Sequence, residues 1–154
     1  MRIYLTGFMG SGKTTVGRLL AGNLNQQFFD LDHGIERKAG MAIQEIFGRS
    51  GEEAFRKLET ETLQSINIDS AVIATGGGCF IHNEEWMLQN GTVVYLRVPF
   101  AILAQRVGAD ASRPLWRNAE KLFTERETIY TRAHFNVDGS APPTEVVKEI
   151  KKFL

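Results

Sequence analysis

Two textures alternate along this chain. Short unbroken apolar runs, Ile3-Tyr4-Leu5-Thr6, Ala71-Val72-Ile73-Ala74-Thr75 and Thr92-Val93-Val94-Tyr95-Leu96, have the small and β-branched composition of strands covered on both faces. Between them, apolar residues recur every three or four positions, the spacing of helices that bury one side. Val16, Leu19, Leu20 and Leu24 predict a helix from Lys13 to about Asn25. Phe55, Leu58, Thr62 and Ile66 predict another, opened by the capping-box spacing of Ser50 and Glu53. Ile35 to Phe47 is helical in pattern but interrupted at Gly40, which predicts two short helices. Further helices are expected from Asn83 to Gln89, from Pro99 to about Val107, from Glu120 to His134, and after a Thr144 cap. Gln27 to Asp32 and Phe135 to Asp138 read as brief strands. Strands alternating with helices throughout predict an α/β fold in three layers, a parallel sheet with right-handed crossovers and helices on both faces.

The first run delivers the chain into Gly7-Phe8-Met9-Gly10-Ser11-Gly12-Lys13-Thr14, which satisfies G-x-x-x-x-G-K-[ST] at every fixed position. Chemistry enters the pattern here. Glycines let the backbone turn its N–H groups toward phosphate oxygens, Lys13 supplies a point charge, and the Thr14 hydroxyl can ligate magnesium. Gly10, Ser11, Gly12, Lys13, Thr14 and Thr15 are therefore the expected nucleotide-binding residues, at the N-terminus of the helix that follows. The bland alternative, a glycine-rich turn before an ordinary helix, needs strand, spacing, lysine and threonine to agree by accident. A phosphate loop does not by itself separate a kinase from a GTPase or a motor. The sequence has no N-K-x-D segment of the kind GTPases use to read their base, and 154 residues are few for a motor, so a small-molecule kinase fits better.

An acceptor side must then be found. Asp30 and Asp32 fall at a strand's C-terminal end, where open α/β sheets bind ligands. One carboxylate there can hold a magnesium water while the other meets the acceptor hydroxyl, although turn-forming and helix-capping roles are open to both. Arg56 and Arg132 read either as solvated arginines or as forks that grip an acceptor carboxylate, with Glu59 three residues along the helix to orient Arg56. Gly76-Gly77-Gly78 is either a tight turn or a stretch that lets a ligand approach the backbone closely. The polar segment from Gly108 to Asn118 lacks apolar periodicity; it suits a lid, with Arg113 closing over the transferring phosphate.

Composition narrows the setting. Eighteen basic side chains balance eighteen acidic ones, which gives no broad footprint for nucleic acid or for an acidic membrane surface. No apolar run approaches the length of a membrane span. The lone Cys79 cannot form an internal disulfide and reads as a packing residue, while His33, His82 and His134 lack metal-ligand spacing. Trp86 is expected to pack in the core and Trp116 against the lid. The chain begins at a core strand without a signal-peptide pattern, so the expectation is one domain over residues 1–154, monomeric and cytoplasmic, with an acceptor-binding segment at about 32–60 and the lid at about 108–118.

The set in this order resembles the shikimate kinase family, in the nucleoside-monophosphate-kinase-like branch of phosphate-loop proteins. The resemblance rests on Gly7 to Thr14, Phe29-Asp30-Leu31-Asp32 with Ile35-Glu36, Phe55-Arg56 with Glu59, Thr75 to Gly78, Arg113-Pro114-Leu115, and Tyr130 with Arg132. It implies a P-loop NTPase fold with strand order 2-3-1-4-5, ATP with magnesium, and transfer of the γ-phosphate to the 3-hydroxyl of shikimate. It also implies magnesium on Thr14 and, through water, on Asp30; acceptor hydroxyls on Asp32; the shikimate carboxylate on Arg56 and Arg132; and Gly76, Gly77 and Gly78 lining that pocket. Lys13, Asp32 and Arg113 would carry catalysis, and Arg106 would stack on adenine. Trp116 after Arg-Pro-Leu, a short lid and a trimmed stretch after Arg132 depart from the family pattern. A kinase of another polyol acid such as gluconate, and a silent nucleotide-binding regulatory module, are the rival readings.

Overall fold

The computed structural model describes residues 1–108 and 118–154. Five strands, β1 (Arg2–Thr6), β2 (Gln27–Asp30), β3 (Ala71–Ala74), β4 (Thr92–Arg97) and β5 (Phe135–Asp138), form one sheet in the order β2-β3-β1-β4-β5, every pair parallel. The class and order are those expected. Alternation within the apolar runs explains why both faces need cover. Ile3, Leu5, Val72, Val94 and Leu96 point into one core, under α1 (Lys13–Leu24) and α7 (Pro143–Lys152). Tyr4, Ala71, Ile73, Val93 and Tyr95 point into the other. That second core is covered by α2 (Leu31–Ala39), α3 (Ile43–Ser65), α4 (Cys79–Asn90), α5 (Phe100–Val107) and α6 (Ala119–Tyr130). Strands buried on both sides read as continuous apolar runs, because neither face can tolerate a polar residue.

Several boundaries differ from the sequence reading, each for a local reason. The second strand stops at Asp30, whose carboxylate accepts the backbone N–H of His33 and so caps α2; Asp32 therefore sits in the first helical turn rather than on the strand. Helical structure runs from Ile43 to Ser65, but Gly51, at φ 83° and ψ 175°, breaks it into two helices, the second of which starts beside Ser50 as expected and follows the first without an intervening loop. Helix α4 begins at Cys79, four residues earlier than expected, and bends at Asn83, whose side chain donates to Cys79 O at 3.0 Å and accepts from Thr60 Oγ1 at 2.8 Å. Helix α6 ends at Tyr130, leaving Arg132 and His134 outside it. Helix α7 begins at Pro143, one residue before Thr144, which is thus inside the helix rather than its cap. Trp86 lies 6.2 Å from the Tyr4 ring and packs against the core as expected, and Cys79 is buried there as a free thiol. Among the described residues no helix is long and apolar enough to cross a membrane.

Candidate active site

The chain leaves β1 through a loop in which Gly7, Gly10 and Gly12 take φ of 151°, 83° and 93°, values that side chains strongly resist. Gly12 caps α1 without any side-chain hydrogen bond, and the first turn carries no acidic residue. Orphan N–H groups at a helix N-terminus, with the helix dipole behind them, make an anion site. Lys13 folds back over the loop, donating to the carbonyls of Gly7 and Phe8, the latter at 3.1 Å. Burial lowers its pKa to about 8, against the opposing pull of Asp32 and Asp30. Below that value the ammonium is charged and faces the place where phosphate oxygens would lie.

Beside the loop, the Thr14 hydroxyl donates to Asp30 Oδ2 at 3.4 Å, while the other oxygen of Asp30 caps α2. Asp30 therefore caps the helix with one oxygen while its other oxygen stands beside the phosphate loop. A hydroxyl and a carboxylate adjoining a phosphate site are the hard oxygen donors that magnesium takes together with substrate phosphates and water, so these residues fit that ion. Arg106, on the last turn of α5, sends one N–H to Gly10 O at 3.0 Å and another to Gly139 O at 2.9 Å, which ties the phosphate loop to the turn after β5. Thr15 follows on the exposed first turn of α1. Ser11 is buried, and its Oγ has no hydrogen-bond partner among the described residues.

Across from the loop lies a cavity of about 430 Å³ walled by Met9, Ile43, Phe47, Phe55 and Leu122, with Asp32, Glu59, Arg56 and Arg126 among its polar groups. Glu59 is only 1% exposed and accepts from Arg56 Nη1 at 2.9 Å. Burial pushes its carboxyl up even with that guanidinium beside it. Such a carboxylate holds its arginine in one orientation, as expected for this pair. Asp32 is likewise pushed up, first by burial and then by the charge of Asp30, while Lys13 pulls it down.

The glycine run does something the sequence did not suggest. A Cβ on Gly76 would stand 2.8 Å from Asp32 Oδ1, one on Gly77 would stand 3.1 Å from Arg126 Nη1, and one on Gly78 would stand 2.5 Å from Arg56 Nη2. Each glycine makes room for a different charged side chain of the protein itself. The three charges converge because nothing on the β3 side keeps them apart.

Arg132 is not brought into this cavity. Lying past the end of α6, its guanidinium pairs with Glu84 at 3.0 Å and remains 57% exposed. A surface pair of this kind contributes at most about 1 kcal/mol. The cavity is lined instead by Arg126, six residues earlier and within α6. Arg113, with the rest of the lid and Trp116, lies outside the described residues. A larger cavity of about 550 Å³ between Arg97, Phe123, Glu127 and Asp138 contains none of the expected site residues.

Comparison with known proteins gives the chain a family. The sequence profile of the family described as shikimate kinase matches residues 9–154. A curated shikimate kinase of Aquifex aeolicus is 43% identical over 97% of this chain and 94% of its own length, and its crystal structure superposes with a TM-score of 0.90 over 99% of this chain and 95% of that one. The structure of an Acinetobacter baumannii shikimate kinase in complex with shikimate is 39% identical, with a TM-score of 0.91 over 99% of this chain and 91% of that one. A gluconokinase from Sinorhizobium meliloti, 20% identical at a TM-score of 0.58 over 96% of this chain and 87% of that one, shares the fold alone.

Proposed function

Because the chain belongs to the shikimate kinase family, we propose that it transfers the γ-phosphate of ATP to the 3-hydroxyl of shikimate, giving shikimate 3-phosphate and ADP. One observation carries the reading furthest: two arginines and an aspartate converge on a cavity of about 430 Å³ beside a complete phosphate loop. A small acid with ring hydroxyls matches that set, since guanidinium forks bind a carboxylate in two places and a carboxylate accepts from hydroxyls. Arg56 and Arg126 grip the acceptor carboxylate, and Asp32 takes the hydroxyl opposite. Gluconate would satisfy the same charges, but its kinase shares only the fold with this chain.

In the reaction, the acceptor oxygen bonds to the γ-phosphorus as the bond from that phosphorus to the β,γ-bridging oxygen breaks, and ADP leaves with the electron pair. Asp32 orients the hydroxyl and takes its proton. Lys13 meets the charge that grows on the phosphoryl oxygens, with Arg113 of the lid in the same role. Magnesium, held by Thr14 and through water by Asp30, would neutralise phosphate charge when bound. Arg106 stacks on adenine in this reading. The reading is of a monomer, and a single buried free thiol suits the reducing cytoplasm.

The test is an assay of ADP release coupled to shikimate, run beside gluconate. Shikimate-dependent ADP release from magnesium-loaded protein is expected, and its absence defeats the assignment. For the acceptor side, Arg126→Ala is the cleaner probe, because Arg56→Ala would also leave Glu59 buried and unpaired, at a cost of roughly 3–5 kcal/mol in stability. We expect Arg126→Ala to raise the shikimate KM about 10- to 100-fold, in line with a lost charge-assisted pair, while the ATP KM stays put. Equal effects on both KM values would remove Arg126 from the acceptor.

A further inference from the structure

Tyr130 is the last residue of α6 and is completely buried. Its ring stacks on Tyr95 of β4, with centroids 5.0 Å apart and planes 27° from parallel. Tyr95 is anchored in turn by donating to the Glu127 carboxylate, which also accepts from Arg97 Nε at 2.8 Å. The stack fixes where the Tyr130 hydroxyl points. It donates to the carbonyl of Gly77, beside which the guanidinium of Arg126 also lies. A Cβ built on Gly77 would lie 3.1 Å from Arg126 Nη1, 3.6 Å from the Tyr130 oxygen and 3.8 Å from Gly7 O, so these groups form one cluster between the acceptor cavity and the phosphate loop.

A guanidinium on a helix surface has several rotamers, and only one of them faces the cavity. Glu59 holds Arg56 in place. Among the described residues, Arg126 has no carboxylate in an ion pair with it; the neutral hydroxyl of Tyr130 stands beside Gly77 with it instead. A carboxylate here would compete with an acceptor carboxylate for the same N–H groups, whereas a hydroxyl accepts one N–H and leaves the charge available. We infer that Tyr130 is a positioning residue: its hydroxyl accepts from Arg126 and donates to Gly77 O, holding the arginine fork against the glycine backbone in the orientation that receives the acceptor's carboxylate. The inference rests on the reading that Arg126 binds the acceptor.

The test is Tyr130→Phe in the full-length enzyme, compared with Arg126→Ala and with the double variant. Phenylalanine keeps the stack on Tyr95 and removes one oxygen. We expect the acceptor KM to rise about 5- to 30-fold, as for a lost hydrogen bond to a charged group, with kcat and the ATP KM nearly unchanged. In the double variant the two effects should not multiply, because both remove the same fork. A purely structural role would instead lower kcat, raise both KM values and multiply with Arg126→Ala; that pattern overturns the inference, as does an unchanged acceptor KM. If Arg126→Ala itself leaves the acceptor KM untouched, the reading of Arg126 fails and this inference fails with it. If Arg126→Ala raises it and Tyr130→Phe does not, only the role of Tyr130 is lost.

Discussion

Replacing Lys13 with methionine is expected to lower kcat by about 100- to 1,000-fold, the usual loss when one preorganised donor to developing charge is removed. Its ammonium is already fixed by the carbonyls of Gly7 and Phe8, so no reorganisation is needed as charge builds on the phosphoryl oxygens. Methionine keeps an unbranched stem of similar length and loses only the charge. Stability should move the other way. The lysine pKa falls from 10.5 to about 8 on folding, so between those values the unfolded chain binds more protons and native stability rises with pH. Below about pH 8 the full penalty for burying the charge is present. Lys13→Met should therefore keep or raise the melting temperature at neutral pH while activity collapses, a combination that global unfolding cannot produce. Steady-state kinetics and thermal melts on the same preparation check both halves. A kcat within the wild-type range would take Lys13 out of the chemistry.

The second large effect is expected for Asp32→Asn. The amide keeps the shape that rests against Gly76 but cannot accept a proton, and general-base losses run to about 100- to 10,000-fold in kcat. A pH profile gives the sharper signature. Burial and the charge of Asp30 raise the Asp32 pKa, so wild-type kcat/KM should fall as pH drops through that raised value and the carboxylate takes up a proton. Above it the base is free and the profile is flat until another group titrates. In Asp32→Asn the acid-side fall should disappear along with most of the rate. A variant that keeps the wild-type fall assigns it to a different group.

Local signals were legible in the sequence, and those that depend on where a helix stops were not. The phosphate loop could be read because its strand, its glycines and its lysine are contiguous and its geometry is set by backbone conformation alone. The five-stranded sheet could be read because buried parallel strands have a distinctive texture. Asp32 reads as strand because Phe29-Asp30-Leu31-Asp32 alternates like one; the Asp30 cap turns the chain two residues sooner. The largest misreading was Arg132 for Arg126. Carrying α6 on to His134 put Arg132 in its last turn, but the helix ends at Tyr130. The correcting signal was present: Leu122, Arg126 and Tyr130 recur at intervals of four, so an arginine sharing a face with a core leucine and a core tyrosine points inward. Nothing comparable could reveal the partners of the glycine run, since Asp32, Arg56 and Arg126 come from three different helices.

That run has a consequence for how this pocket could change its substrate. With Gly76, Gly77 and Gly78 each set against the end of a charged side chain, the β3 wall of the cavity has no side chain to exchange, and gaining one would displace Asp32, Arg126 or Arg56. Any shift of preference toward a longer or differently hydroxylated acid must then be written on the opposite walls, through Ile43, Phe47, Phe55 and Leu122. The Phe55 ring lies under the Arg56 guanidinium, with its centroid 5.1 Å away, so such changes fall to Ile43, Phe47 and Leu122 if the Arg56–Glu59 pair is to be left alone. Selectivity can drift on one side of the pocket while the charges that grip and activate the acceptor stay where they are.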